Sequence, residues 1–395
     1  MQRPSRPARS STRPRSSTPT RWLLALLASA AALLWLTRVV VPAAAFEIRH
    51  VNYGDFGRFH FSAERYVERQ NMYVSVPASR RSPGQELRQR TDLTPPHAHL
   101  LFLPLAALPL PTAFAIFTLL NISAAVWSGY VVARELALDF ERASWVAIGA
   151  VCVASTPAAS TLINGQPSFL YLIPVVLAWR AHRQRALGAA GAWLGLLSSV
   201  KPFFGVFAVY FLLRREWRPA GTMVGSALGS FLVGLAAFGW EAHVGWLNDL
   251  ASITWVDHPA NTSIFGMAAR MGLPGPALVA GITGAMALAA LAIRRTESID
   301  RHWLILLTTA LLLAPLGWMY YWPWLAVPAA AVARVAPPRT RVARIGFLLG
   351  WASAWWPWIP PLSGPMVEAT AWLSIHTCGL FLLLASQLPP AGRAV

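Results

Sequence analysis

The stretch Gly188-Ala-Ala-Gly-Ala-Trp-Leu-Gly-Leu-Leu-Ser-Ser-Val-Lys-Pro-Phe-Phe-Gly205 decides how the chain is read. It is apolar on both sides of one Lys-Pro pair. Lys201 is the single lysine; every other member of the 33 Lys plus Arg residues is an arginine. An ammonium placed in a bilayer costs about 2.5–3.5 kcal/mol on insertion scales. Pro202 has no N–H and disfavours helix at the residue before it. The run therefore predicts two short helices meeting at a charged break. A charge at such a break in a membrane is expected to bind an anion, and the competing reading is a lysine that snorkels from a helix end. A compact ammonium suits a phosphate, and broken helix ends add N–H donors.

Outward from this run the chain repeats the pattern. Of 395 residues, 55% are hydrophobic and 12% charged, against about 25% charged in a typical soluble domain. Apolar segments lie near 22–41, 112–133, 144–163, 167–180, 186–200, 203–213, 220–240, 275–293, 303–317, 320–333, 342–359 and 368–388. That predicts an all-α membrane protein, a multi-pass bundle of about twelve transmembrane helices with both termini in the cytosol. The net charge of +17 does not point to nucleic acid. The arginines sit in short links, Arg134–Arg142, Arg180–Arg185, Arg214–Arg218, Arg294–Arg301 and Arg334–Arg344, and every one falls on the inner side, as positive-inside orientation requires. The opposite links are rich in Trp, Asn, His and acids.

The organisation follows. Residues 1–21 hold six arginines and no acid, and read as a disordered basic cytosolic tail. Residues 22–42 are the first transmembrane helix. The Ala-rich stretch after Pro42 resembles a cleavage site, but the apolar run is long for a signal peptide, and we read a retained anchor. Residues 43–111 form a large extracytoplasmic loop, whose apolar, Pro-bounded part after His97 reads as a juxtamembrane or re-entrant segment. Residues 112–390 are the transmembrane bundle. Cys152 and Cys378 fall in apolar segments and read as small buried hydrophobes.

The outer-side polar residues are the candidates for chemistry. Asp55 lies in the Gly-flanked, aromatic stretch Asn52-Tyr-Gly-Asp-Phe-Gly-Arg58, where a carboxylate beside apolar surface becomes a usable general base. Any single loop acid is more often simply solvated. Asn164 and Gln166 cap helix ends or hydrogen-bond a polyol. Trp240, Trp246, Trp255, Trp318, Trp322, Trp355, Trp356 and Trp358 read as an interfacial belt. His243, His258, Asp249 and Asp257 do not form a metal-binding spacing. There is no Walker A loop, no GxSxG, no GxGxxG and no Asp-x-Asp pair.

The order of several motifs resembles glycosyltransferase family 87, a group of integral-membrane GT-C enzymes. The matching stretches are Ile163-Asn-Gly-Gln-Pro-Ser-Phe-Leu-Tyr-Leu, Gly195-Leu-Leu-Ser-Ser-Val-Lys-Pro-Phe and Phe211-Leu-Leu-Arg-Arg-Glu-Trp-Arg, together with Asp55-Phe, Thr94-Pro-Pro96, Leu103-Pro-Leu-Ala-Ala-Leu-Pro109, Asn261-Thr-Ser-Ile-Phe-Gly266 and Leu313-Ala-Pro-Leu-Gly-Trp-Met-Tyr-Tyr321. The resemblance implies a GT-C-like bundle in a bacterial cytoplasmic membrane with an extracytoplasmic active site. It implies inverting transfer of a sugar, mostly mannose, from a polyprenyl-phosphate donor to an envelope glycan or glycolipid acceptor. In this reading Asp55 is the base, Lys201 meets the donor phosphate, and Asn164, Gln166, Asn261, Tyr320 and Tyr321 line the substrate. No cofactor and no metal ligand set is required, although a divalent ion is compatible. Two positions depart from the family pattern: Tyr320 stands where it has a histidine, and Thr94 where it has a tyrosine.

Two other classes fit part of the pattern. A secondary transporter would also have broken helices and a buried charge, but no two-fold repeat is visible and acids are absent from most helix centres. A catalytically silent relative that binds lipid-linked sugar would fit the Tyr320 and Thr94 departures.

Overall fold

The computed structural model describes residues 19–50, 53–74, 92–138, 155–253, 256–355 and 374–388. Among the described residues the regular structure is helical, with one isolated bridge between Asn261 and Trp318. In chain order the helices are α1 (Pro19–Trp35), α2 (Val41–His50), α3 (Gly54–Val67), α4 (Leu110–Glu135), α5 (Thr156–Ile163), α6 (Ser168–Arg183), α7 (Leu187–Val200), α8 (Val206–Leu213), α9 (Trp217–Ala251), α10 (Ile264–Arg270), α11 (Gly275–Arg294), α12 (Ile299–Leu313), α13 (Pro323–Val335), α14 (Arg341–Ala352) and α15 (Ile375–Ala385). Short 3-10 turns at Pro96–Leu101, Pro202–Gly205 and Met319–Tyr321 punctuate them.

Three of these, α4, α9 and α11, are long and apolar enough to cross a membrane. Their outward faces carry exposed Leu, Val and Trp, among them Leu119, Val126, Leu228 and Val279, as lipid contact requires. The chain is therefore a helical membrane protein. The Lys-Pro break has the expected form. α7 ends at Val200, Lys201 takes a non-helical conformation, and a 3-10 turn begins at Pro202. α7 lies close against α9 because Gly191 and Gly195 meet the backbone at Pro219 and Met223 with no room for a Cβ.

The Arg-rich links gather at one end of the bundle. Arg180 and Arg183 reach Glu135, Arg183 also pairs with Asp300, and Trp179 donates to Asp300 at 2.9 Å. Arg301 donates to the carbonyls of Ala336 and Pro337. The ends of α4, α6, α12 and α13 thus share one polar layer. Asn164–Gln166 lies at the other end of α6, Met319–Tyr321 lies between the other ends of α12 and α13, and Lys201 ends α7.

Three expectations change, and one segment end is met. The 43–111 region is not simply a loop: α2 runs to His50, and α3 is an amphipathic helix burying Phe56, Phe59 and Ala63. The segment expected near 220–240 does end there: within α9, Gly239 is non-helical (φ 76°, ψ 175°), and a further helical stretch runs from it to Ala251. Trp318 and Trp322 are packed inside the bundle and do not join a belt, whereas Trp240 is exposed. Cys378 is exposed, since the outer face of a membrane helix meets lipid and needs no burial in protein. Cys152, Trp255, Trp356 and Trp358 lie outside the described residues, as does most of the basic tail.

Candidate functional site

The first loop and the Asn164-Gly165-Gln166 turn meet by backbone contact. α3 has no side-chain N-cap. Its orphan N–H groups at Asp55 and Phe56 donate to the carbonyl of Asn164, at 2.8 and 3.2 Å. Such close approach works only because both partners are glycine-hinged. A Cβ on Gly54 (φ 60°) would sit 2.9 Å from the Cα of Asn164, and one on Gly165 (φ 63°) 2.4 Å from the Cβ of Phe56. The side chain of Asn164 is spent on its own helix end, donating to the carbonyl and hydroxyl of Ser160. Phe56 then locks the contact into an aromatic cluster with Phe102, Phe114 and Phe117.

This interlock sets Asp55 in the first turn of α3, where the helix dipole favours negative charge. One carboxylate oxygen accepts from the Gln166 amide, and the other pairs with Arg58 one turn on. Asp55 and Arg58 are both mostly buried. Arg58 in turn lies near enough for its charge to act on the Tyr320 phenol. The Met319–Tyr321 turn is tied to α5, since Thr161 donates to the Tyr320 carbonyl at 3.3 Å.

Tyr320 and Tyr321 meet edge to face, ring centres 4.9 Å apart. Beyond them, the Lys201 ammonium stands 5.1 Å from the centre of the Tyr321 ring, a cation–π distance. Tyr321 stacks on Trp324 at 4.6 Å, which fixes its plane. The order across the site is therefore Asp55 with Gln166 and Arg58, then Tyr320 and Tyr321, then Lys201.

A second buried acid, Asp92, lies in the segment that precedes the Pro96–Leu101 turn. It is 6% exposed and accepts from the Ser62 hydroxyl (3.0 Å) and the Thr94 N–H (2.9 Å), with His99 at 3.2 Å. Burial works against its ionisation. The charge and hydrogen bond of His99, with the Thr94 contacts, outweigh that and hold the carboxyl below the usual range. Thr94 also accepts the Tyr73 hydroxyl on its carbonyl at 2.6 Å. Among the described residues no group of three His, Cys, Asp or Glu side chains is spaced to hold a metal ion.

Of the residues expected from sequence, the structure brings together Asp55, Asn164, Gln166, Tyr320, Tyr321 and Lys201. Asn261 is different. It is 0% exposed, and its amide donates to the carbonyls of Val256 and Pro315 while accepting the N–H groups of Ser263 and Gly317. With every side-chain group used on backbone, it closes the loop before α10 onto the one before Met319. Arg58 and Asp92 are the residues that the sequence reading missed. Arg58 was legible as an i,i+3 partner of Asp55 on a helix, had the helix been expected. Asp92 was legible as an Asx turn onto Thr94.

Fold and site define a helical membrane protein with paired acids and cations converging at one end of its bundle. A profile of Glycosyltransferase family 87 matches residues 93–315, more than half of the chain, and the chain belongs to that family. It is 28% identical over 277 residues to a polyprenol-phosphate-mannose-dependent alpha-(1-2)-phosphatidylinositol mannoside mannosyltransferase of Mycobacterium tuberculosis (strain ATCC 25618 / H37Rv). That match covers 64% of each protein. It is also 28% identical over 284 residues to the protein of the same description from Mycolicibacterium smegmatis (strain ATCC 700084 / mc(2)155), covering 62% of each. The chain thus spans just under two thirds of the length of these relatives. No solved structure matches it.

Proposed function

We propose that the chain transfers a sugar, mannose in this reading, from a polyprenyl-phosphate-linked donor to a glycan or glycolipid acceptor. The transfer inverts the anomeric centre and takes place on the outer face of a bacterial cytoplasmic membrane, in a bundle of about twelve crossings with both termini cytosolic. The relatives' descriptions favour mannose as the sugar and a mannosylated phosphatidylinositol-type lipid as the acceptor.

One observation carries this reading: a mostly buried carboxylate, Asp55, is fixed by Gln166 and Arg58 on one side of the Tyr320–Tyr321 pair, with Lys201 on the other. Asp55 takes the proton of the acceptor hydroxyl. The acceptor oxygen bonds to the anomeric carbon as the bond to the phosphate oxygen breaks, and that electron pair leaves on the phosphate. Negative charge thus passes from Asp55 to the phosphate. Lys201 is the cation that stabilises it there, while Arg58 stays paired with Asp55 on the base side. Gln166 orients the base, Tyr320 and Tyr321 line the sugar, and Asn164 sets the geometry through its carbonyl. No metal is called on.

The test is transfer from a radiolabelled polyprenyl-phosphate mannose to a glycolipid acceptor by the full chain in proteoliposomes. Asp55→Asn should abolish product while the protein elutes and melts as wild type. Undiminished transfer by Asp55→Asn would remove the base assignment. Solute counterflow in sealed vesicles without glycosyl product would make the chain a transporter instead, and donor binding without turnover would make it a silent relative.

A further inference from the structure

One buried indole touches both halves of the site. Trp324, in the first turn of α13, is 1% exposed. It stands three residues after Tyr321, a spacing that brings two side chains to one side of a helical turn. Their rings stack, 4.6 Å apart and 11° from parallel, and the Lys201 ammonium stands over the Tyr321 ring at 5.1 Å. Phe203 and Phe204, which follow Lys201-Pro202, pack on the same indole with ring centres 6.1 and 5.3 Å away. Phe203 also meets Tyr321 at 5.5 Å. The lysine and the turn after it are thus seated on one pair of rings.

The polar edge of the indole serves the other half. Its Nε1–H donates to the carbonyl of Ser168 at 2.8 Å. A buried indole N–H takes a partner wherever it sits. Here the partner opens α6, two residues after Gln166, whose amide holds the Asp55 carboxylate. We propose that Trp324 is a positioning residue that sets the base turn and the lysine relative to each other. Its N–H holds the turn that carries Gln166, and its ring face holds Tyr321 and, through it, Lys201. The reaction served rests on the proposed function, but the seating of Lys201 does not.

Because N–H and face serve different halves, two variants separate them. Trp324→Phe keeps an aromatic face against Tyr321, Phe203 and Phe204 and removes the N–H. In transfer assays with the full chain in proteoliposomes it should lower kcat about tenfold, part of the roughly 10²-fold that an ångström of misplacement costs, with donor KM near that of wild type. Trp324→Leu removes both, so it should lower kcat as far and also raise donor KM about fivefold, the order of a cation–π contact. Trp303→Phe is the control: Trp303 is fully buried and donates to His182 at 2.9 Å, at the Arg-rich end. That variant should melt earlier with kcat and KM per folded molecule as in wild type. If the Trp324 variants do only the same, the indole is a packing group and the proposal is overturned. It is also overturned if Trp324→Phe raises donor KM as much as Trp324→Leu.

Lys201 supplies a readout that needs no substrate. It is the single lysine, so a small neutral acylating reagent marks one side chain, and mass spectrometry of that peptide reports the rate. Trp324→Leu frees the Tyr321 ring, and its Lys201 should be labelled about fivefold faster than in wild type, with Trp324→Phe at the wild-type rate. Equal rates in Trp324→Leu and wild type overturn the seating. Should Trp324→Leu not be recovered folded, Trp324→Met keeps more of the volume and tests the same point. A wild-type chain that transfers no sugar would sink the proposed function, and labelling would still decide whether Trp324 seats the lysine. Transfer that is lost in Asp55→Asn but unmoved by either Trp324 variant leaves the proposed function standing and removes Trp324 from it.

Discussion

Gly165→Ala is the sharpest probe of how the site is built. Gly165 sits at φ 63°, and an added Cβ would meet the Cβ of Phe56 at 2.4 Å and the ring of Phe114 at 3.0 Å. A non-glycine residue in the left-handed region costs about 1–2 kcal/mol. Forcing a methyl group into a packed aromatic cluster costs about 1–3 kcal/mol more. Phe56 cannot yield cheaply, because it is fully buried among Phe102, Phe114 and Phe117. The sum is about 2–5 kcal/mol, lowered to the extent that α3 moves away. Moving α3 breaks the bonds from Asp55 and Phe56 to the Asn164 carbonyl and carries Asp55 from Gln166. Misplacement of a reacting group by about 1 Å costs on the order of 10²-fold in rate. The variant should therefore melt earlier in detergent and lose about two orders of magnitude in kcat, with donor KM nearly unchanged because Lys201 lies on α7. Wild-type melting together with wild-type kcat would show that the two glycines do not interlock, and the account of how Asp55 is positioned would fall.

Three further outcomes follow from the same contacts. Arg58→Gln should lower kcat/KM by about 10²-fold, the order seen when one preorganised electrostatic contact to developing charge is removed, and steady-state transfer assays measure it; an unaltered rate constant removes Arg58 from the reaction. Asn261→Ala leaves the carbonyls of Val256 and Pro315 and the Gly317 N–H without partners and should destabilise by about 2–5 kcal/mol, seen as a lower thermal midpoint with kcat per folded molecule preserved; a selective loss of donor or acceptor binding would restore it to the substrate site. Burial first, and then the charges of His243 and His99, bring His97 down to about 4 from its ordinary 6.5, so the folded state binds fewer protons than the unfolded state between those values. Stability should thus be full above pH 6.5 and fall as the pH drops towards about 4, and His97→Gln should flatten that slope in melting curves taken across the range.

What could be read in the sequence was what local pattern encodes. An apolar run of membrane length fixes a helix almost to its ends, so the segment expected near 112–133 is Leu110–Glu135 and that near 275–293 is Gly275–Arg294. The Lys-Pro break was visible for the same reason, since proline acts on its immediate neighbour. α3 was not visible. It lies in a polar stretch, and its apolar face of Phe56, Phe59 and Ala63 finds burial against the Leu101–Phe117 region and Leu170, which no window around residue 55 contains. The meeting of residues 54–56 with 164–165 depends on two left-handed glycines more than a hundred positions apart, and neither glycine alone specifies its partner. Asn261 misled for a different reason. A buried amide looks the same in sequence whether it serves a sugar or four backbone groups, and only the loop geometry separates the two.

The lone lysine carries the same lesson into energetics. From sequence it was an uncompensated cation, and a ligand had to account for it. In the fold the ammonium lies over the Tyr321 ring at 5.1 Å, so a cation–π contact meets part of the cost of burying it without any ligand. The argument for a phosphate rests more on arrangement: Arg58, paired with Asp55, and Lys201, over the Tyr321 ring, flank one pair of tyrosines. Structural stability alone needs no such convergence, because each pair could be satisfied anywhere on the surface of the bundle. A reaction that moves one negative charge from a base to a leaving group does need it. One cation must hold the base in place and the other must stand where the phosphate leaves, which is the order Arg58, tyrosine pair, Lys201.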